Sequence, residues 1–100
     1  MQVFYSKLAR LKYIRITNYL LETWSLQSKN NFIKKFDLKI QQIKLHPYSC
    51  LESFEYKGLY KCVVTKQTTF YYRVLQNQQE IEIITIFDTR QNPNKLNKDL

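Results

Sequence analysis

The chain predicts an α+β fold of order β-α-α-β-β-β, a helical hairpin packed on one face of a mostly antiparallel four-stranded sheet. Two observations carry this. Apolar residues recur at three- and four-residue steps up to about Leu45, then at two-residue steps from Tyr60 onward. The whole chain has one Gly and two Pro, which leaves no room for a flexible linker, so residues 1–100 read as a single domain.

The elements follow in order. "VFY" (Val3 to Tyr5) is a short strand, and Ser6 is placed to cap the helix behind it. In that helix Leu8, Leu11, Ile14 or Arg15, Tyr19 and Leu20 mark one buried face, with Lys7, Arg10, Lys12 and Arg15 around it. The pattern breaks at Thr23 to Ser25, and Ser25 can cap a second helix running to about Leu45. Its stripe is Phe32, Phe36, Ile40 and Ile43. His46-Pro47 ends it, because a residue before proline is pushed out of the helical region. "YKCVVT", "TTFYYRVL" and "EIEIITIF" are three β-rich runs, joined by "KQ" and "QNQQ", turns short enough for hairpins. The last run is apolar on both parities from Ile83 to Phe87, as for a central strand covered on both faces over part of its length.

Composition narrows the function. The net charge is +8; residues 1–57 carry ten basic and four acidic side chains, and residues 58–100 carry six and four. That surplus points to a polyanionic partner, nucleic acid or an acidic protein segment. Cys50 and Cys62 are too few for a disulfide framework and lack metal-ligand spacing, so they read as reduced thiols of a cytosolic protein. The N-terminus has no signal-peptide pattern, and no run approaches the ~20 apolar residues of a membrane span. Glycine-rich phosphate loops, paired carboxylates and a nucleophile–His pair are absent, which removes conventional hydrolase, kinase and redox readings.

Arg90 stands just past the end of the most apolar strand, in "IFDTRQNPNKL". It reads as a turn residue, as an anchor pairing Asp88, or as the cation of a binding or catalytic site. Pro93 stops the strand from continuing as an interior ladder member. Arg73 among aromatic neighbours reads first as a packed side chain. His46, at a helix end, reads as a partner of the last-turn carbonyls. Tyr56, Tyr60, Tyr71 and Tyr72 read as core and rim of the sheet before they read as a stacking platform.

The opening "VFYSKLARLKYIRITNYL", the helix end "LHPYS" and above all "GLYKCVVTKQTTFYYRVLQNQQEIEIITIFDTRQNP" resemble the RelE/ParE toxin superfamily, in particular its plasmid-stabilisation, ParE-like branch. The likeness runs over nearly the whole chain. It implies a small, basic, cytoplasmic toxin of a type II toxin–antitoxin module, with no cofactor and no metal, inhibitory when free and neutralised in a hetero-oligomer by an acidic antitoxin. ParE-like members act on DNA gyrase. RelE-like members cut mRNA on the ribosome, and a non-toxic RNA- or protein-binding module on the same fold is a further alternative. A nuclease would use Arg90, matching the phosphate-binding arginine after the last strand, with Lys61 as a looser match. The arginine such nucleases carry near the next strand falls here on Thr68 or Thr69, and no Tyr or His follows Arg90 in the tail. Target or RNA contact is implied for Arg90, Arg73, Lys61, Lys66 and Tyr72, and antitoxin contact for Lys34, Lys35 and Lys39.

Overall fold

A computed structural model describes residues 1–90; Pro93 and the rest of the tail lie outside the described residues. The elements are β1 (Gln2–Tyr5), α1 (Lys7–Thr23), α2 (Leu26–Leu45), β2 (Leu51–Glu52), β3 (Leu59–Val63), β4 (Thr68–Leu75), a 3-10 turn (Gln76–Gln78) and β5 (Glu80–Asp88). The α+β class and the helical hairpin on one sheet face are as the sequence predicts. Among the described residues the strand count is one higher. Five strands lie in the order β1-β5-β4-β3-β2, because Leu51–Glu52 adds a two-residue edge strand to β3. Two residues are too few to show a period, so the sequence carries no sign of it.

Both helix starts are fixed by serine. The Ser6 hydroxyl accepts from the Ala9 amide and the Ser25 hydroxyl from the Ser28 amide, each at 3.0 Å, satisfying one of the donors that a helix start leaves open. Ser6 does more than cap. Its hydroxyl donates to the Ile84 carbonyl at 2.6 Å, tying the start of α1 to β5. The two helices carry the chain from β1 at one edge of the sheet to β2 at the other, and the strands that follow return to lay β5 parallel to β1, with Val3 opposite Ile81 and Tyr5 opposite Ile83.

The α1 stripe differs from the expectation. Its buried residues are Ala9, Lys12, Ile16, Thr17 and Leu20, while Leu11, Ile14 and Tyr19 are exposed. The helix carries two apolar stripes, and the side with small Ala9 and Thr17 can approach the sheet more closely. In α2 the expected Phe32, Phe36, Ile40 and Ile43 are all buried.

β5 is interior, flanked by β1 and β4. Its apolar run on both parities goes with burial on the opposite parity at Thr85 and, in addition, with a bulge. Tyr71 pairs with Thr85 but Tyr72 pairs with Ile83, so Ile84 is an extra residue. The bulge moves the core-facing set from Ile81 and Ile83 to Ile86 and Asp88, all buried.

An aromatic series runs through the core. Tyr13 meets Phe36 edge-on at 5.1 Å, Phe36 meets Phe70 at 5.1 Å, Phe70 meets Tyr72 at 5.9 Å, and Tyr72 stacks on Tyr60 at 5.5 Å. These rings join both helices to β3 and β4, and each such pair adds about 0.5–1.5 kcal/mol beyond burial.

Candidate functional site

The bulge decides where Asp88 points. Thr68, the first residue of β4, pairs with Asp88, the last of β5, and shares a face with Phe70 and Tyr72. Asp88 therefore faces the helices and is 2% exposed. A buried carboxylate needs donors, and among the described residues it has four: the Thr68 hydroxyl at 3.1 Å, the Arg90 amide at 2.9 Å, Arg90 Nε at 2.7 Å, and Arg90 Nη2. The Thr89 amide donates to the Gln67 carbonyl at 2.8 Å, which turns the chain so that Arg90 folds back over Asp88.

The electrostatics follow. Burial pushes the Asp88 carboxyl up, but the Arg90 side-chain and backbone hydrogen bonds, the Arg90 charge and the Thr68 hydroxyl outweigh it, so Asp88 sits below the usual carboxylate range. The same hydrogen bond raises Arg90, against the opposing effect of its own burial. The guanidinium carbon also lies 4.9 Å from the centre of the Tyr19 ring. The result is a planar fork held on one edge by a carboxylate and on one face by a ring, with 32% of the side chain open to solvent.

Arg90 stands between two clefts. One, of about 240 Å³, is lined by Arg15, Ile16, Tyr19, Asp88 and Arg90. The other, of about 220 Å³, lies between α2 and the β3–β4 turn, with Phe32, Lys35, Thr65, Gln67 and Arg90 among its walls. Such an arrangement can present oriented N–H donors and a positive edge to a carboxylate, carbonyl or phosphate oxygen. Its charge is already matched by Asp88, so the pair positions a partner better than it stabilises charge developing in a reaction.

The other sequence-nominated residues divide among three places. Lys66 lies in the turn beside Gln67, at the same end of the sheet as Arg90. Lys61 pairs with Tyr71 and Arg73 with Leu59, which puts both on the face away from the helices, opposite to Asp88. The structure thus does not bring Lys61 to Arg90. Arg73 packs near the β2–β3 turn, where a Cβ on Gly58 would sit 3.7 Å from its Nη1; Gly58 itself is at φ +81°. Tyr72 is fully buried and its hydroxyl donates to the Pro47 carbonyl at 2.7 Å. A surface-contact role for Tyr72 is therefore corrected to a core role, since β4 turns that parity toward the helices. On α2, Lys34 and Lys35 are exposed and Lys39 is half-buried, its charge acting on Cys62. Lys35 opens onto the second cleft.

Sequence reasoning missed Tyr19 and Thr68. The period places Tyr19 in the buried stripe, whereas it serves as the ring under Arg90. Thr68 stands in the sequence only as the place of a missing arginine; its pairing with Asp88 depends on the bulge, which has no signature in the sequence beyond two adjacent isoleucines. Among the described residues, no group of three His, Cys, Asp or Glu side chains is placed to hold a metal ion.

The family model described as ParE toxin of type II toxin-antitoxin system, parDE, matches residues 3–93. Two solved structures share the fold. A YoeB/ParE toxin from Agrobacterium tumefaciens superposes with a TM-score of 0.64 at 18% identity, over 88% of this chain and 98% of that one. The chromosomal ParDE TA system from P. aeruginosa gives 0.71 at 12% identity, over 88% and 95%. No curated protein matches by sequence.

Proposed function

This chain belongs to the ParE toxin family of type II toxin–antitoxin systems, and from that premise we propose a toxin that inhibits growth by binding DNA gyrase and is neutralised by a cognate acidic antitoxin. The observation that carries the choice of binding over RNA cleavage is the placement of the cations. Arg90 is matched by buried Asp88 on the helix side, while Lys61 lies across the sheet. Cleavage next to a 2′-hydroxyl needs a base, an acid and an unmatched cation converging on one phosphate, and these residues do not converge.

In this reading Arg90 and Lys66, at one end of the sheet, contact the target. Lys34, Lys35 and Lys39 on α2 meet the antitoxin, where complementary charge mainly speeds encounter. The site is cytoplasmic, since both partners are. Among the described residues, no helix is long and apolar enough to cross a membrane.

A second reading has one supporting feature. Lys61 and Arg73 flank Tyr71 on the sheet face away from the helices, a basic-aromatic grouping suited to single-stranded RNA. Controlled expression distinguishes the two: transcripts are mapped for new 5′ ends while plasmid supercoiling is followed in the same cells. Loss of supercoiling with intact transcripts supports the first; new 5′ ends at normal supercoiling support the second.

A further inference from the structure

The β2–β3 edge carries two thiols that the proposed function leaves unused. Leu51 pairs with Lys61 and Glu52 with Tyr60, antiparallel. Continuing that register by one residue sets Cys50 opposite Cys62. The Ser53 amide donates to the Leu59 carbonyl at 2.7 Å, so Ser53 and Leu59 occupy a hydrogen-bonded position. Positions alternate along an antiparallel ladder, which makes the Cys50–Cys62 position a non-hydrogen-bonded one. At positions of that kind Cα atoms lie about 4.5 Å apart and side chains approach most closely. A disulfide spans Cα separations of about 4.4–6.8 Å. Cys62 faces the helices with Phe70 opposite it, and the Cys50 thiol is its hydrogen-bonding neighbour.

The two sulfurs differ in access. Cys62 is buried, and burial followed by the Cys50 contact pushes its thiol up to about 12. Cys50 is only partly buried. An outside reagent meets Cys50 first, and Cys62 lies behind it.

We propose that Cys50 and Cys62 are a reversible modification site, forming an internal disulfide by exchange with a small disulfide of the glutathione class. The Cys50 thiolate attacks one sulfur of the small disulfide and releases one small thiolate. The Cys62 sulfur then attacks Cys50 in the mixed disulfide and releases the second. Two protein thiols are oxidised, one small disulfide is reduced to two thiols, and the two cysteine protons end on the released thiolates. The bond fastens β2 and the turn behind it, Gly58 beside Arg73 included, to the sheet edge. The exchange does not depend on which target the chain binds.

The test treats the purified, folded full-length chain with oxidised glutathione, quenches with an alkylating reagent, and measures intact mass and linked peptides. The expected product has lost two hydrogens, retains no glutathione, and links Cys50 to Cys62. The urea-unfolded chain should need at least about tenfold more oxidised glutathione for half conversion, since its sulfurs are not held together. Cys62→Ser should instead retain one glutathione on Cys50. The proposal is overturned if wild-type chain keeps glutathione on Cys50 while Cys62 is alkylated after unfolding. Disulfides only between chains, or equal conversion of folded and unfolded chain, overturn it too.

Discussion

Arg90→Ala removes two of the four donors of a carboxylate that is 2% exposed. The amide of residue 90 and the Thr68 hydroxyl remain. Breaking a fully buried ion pair costs about 3–5 kcal/mol, and removing one partner of a buried charged acceptor about 1–3 kcal/mol. The lower range applies, because half the donors persist and the Arg90 side chain is 32% exposed, so water screens the pair on one side. The expected loss is about 2 kcal/mol, equivalent to roughly 10 °C in Tm for a domain of this size. Urea unfolding should show a lower midpoint at unchanged slope. Adding Asp88→Asn to Arg90→Ala removes the stranded charge and should recover about 1 kcal/mol, a coupling that a double-mutant cycle reads directly. A single variant within about 0.5 kcal/mol of wild type would show that Asp88 does not depend on the Arg90 side chain, as would a double variant less stable than Arg90→Ala.

Further outcomes follow from the same contacts. Folded pKa of Asp88 lies below its unfolded value, so the unfolded chain binds more protons as pH falls; stability from the pair is full above the unfolded value near 3.9 and lost below it. Asp88→Asn should therefore flatten the acid limb of a stability-against-pH curve. Phe36→Ala, at the centre of the aromatic series, should cost about 3–5 kcal/mol by urea unfolding. Ser6→Ala loses both the cap of α1 and the bond to the Ile84 carbonyl, and should cost about 1–2 kcal/mol. Replacing Lys34, Lys35 and Lys39 together with Ala should slow antitoxin association at low salt, measured by stopped flow, with stability nearly unchanged; an unchanged rate counts against α2 as the docking face.

Much of the fold was legible because it rests on local rules. Ser6 and Ser25 lead their helices as capping chemistry demands, the α2 stripe names the core, and His46-Pro47 ends the helix. What escaped were choices made by packing. Which of two apolar stripes on α1 faces the sheet depends on how closely Ala9 and Thr17 let the helix approach, not on period. The Ile84 bulge depends on pairing with β4, and it alone turns Asp88 inward. Hence the Asp88–Arg90 pair could be foreseen from its spacing, but its burial could not. An exposed arginine would be nearly free to remove; this one is not.

The proposed mode of action is that the chain holds gyrase through the Arg90 end of the sheet, without cutting RNA. Supercoiling of relaxed plasmid by purified gyrase, titrated with purified chain, tests it most directly. Wild-type chain should inhibit supercoiling, antitoxin should restore it, and Arg90→Ala, assayed at a temperature where it remains folded, should inhibit at least about tenfold less, the loss of ~1.4 kcal/mol of binding. Full supercoiling at every concentration of folded wild-type chain, with mRNA cleaved on added ribosomes, would contradict it.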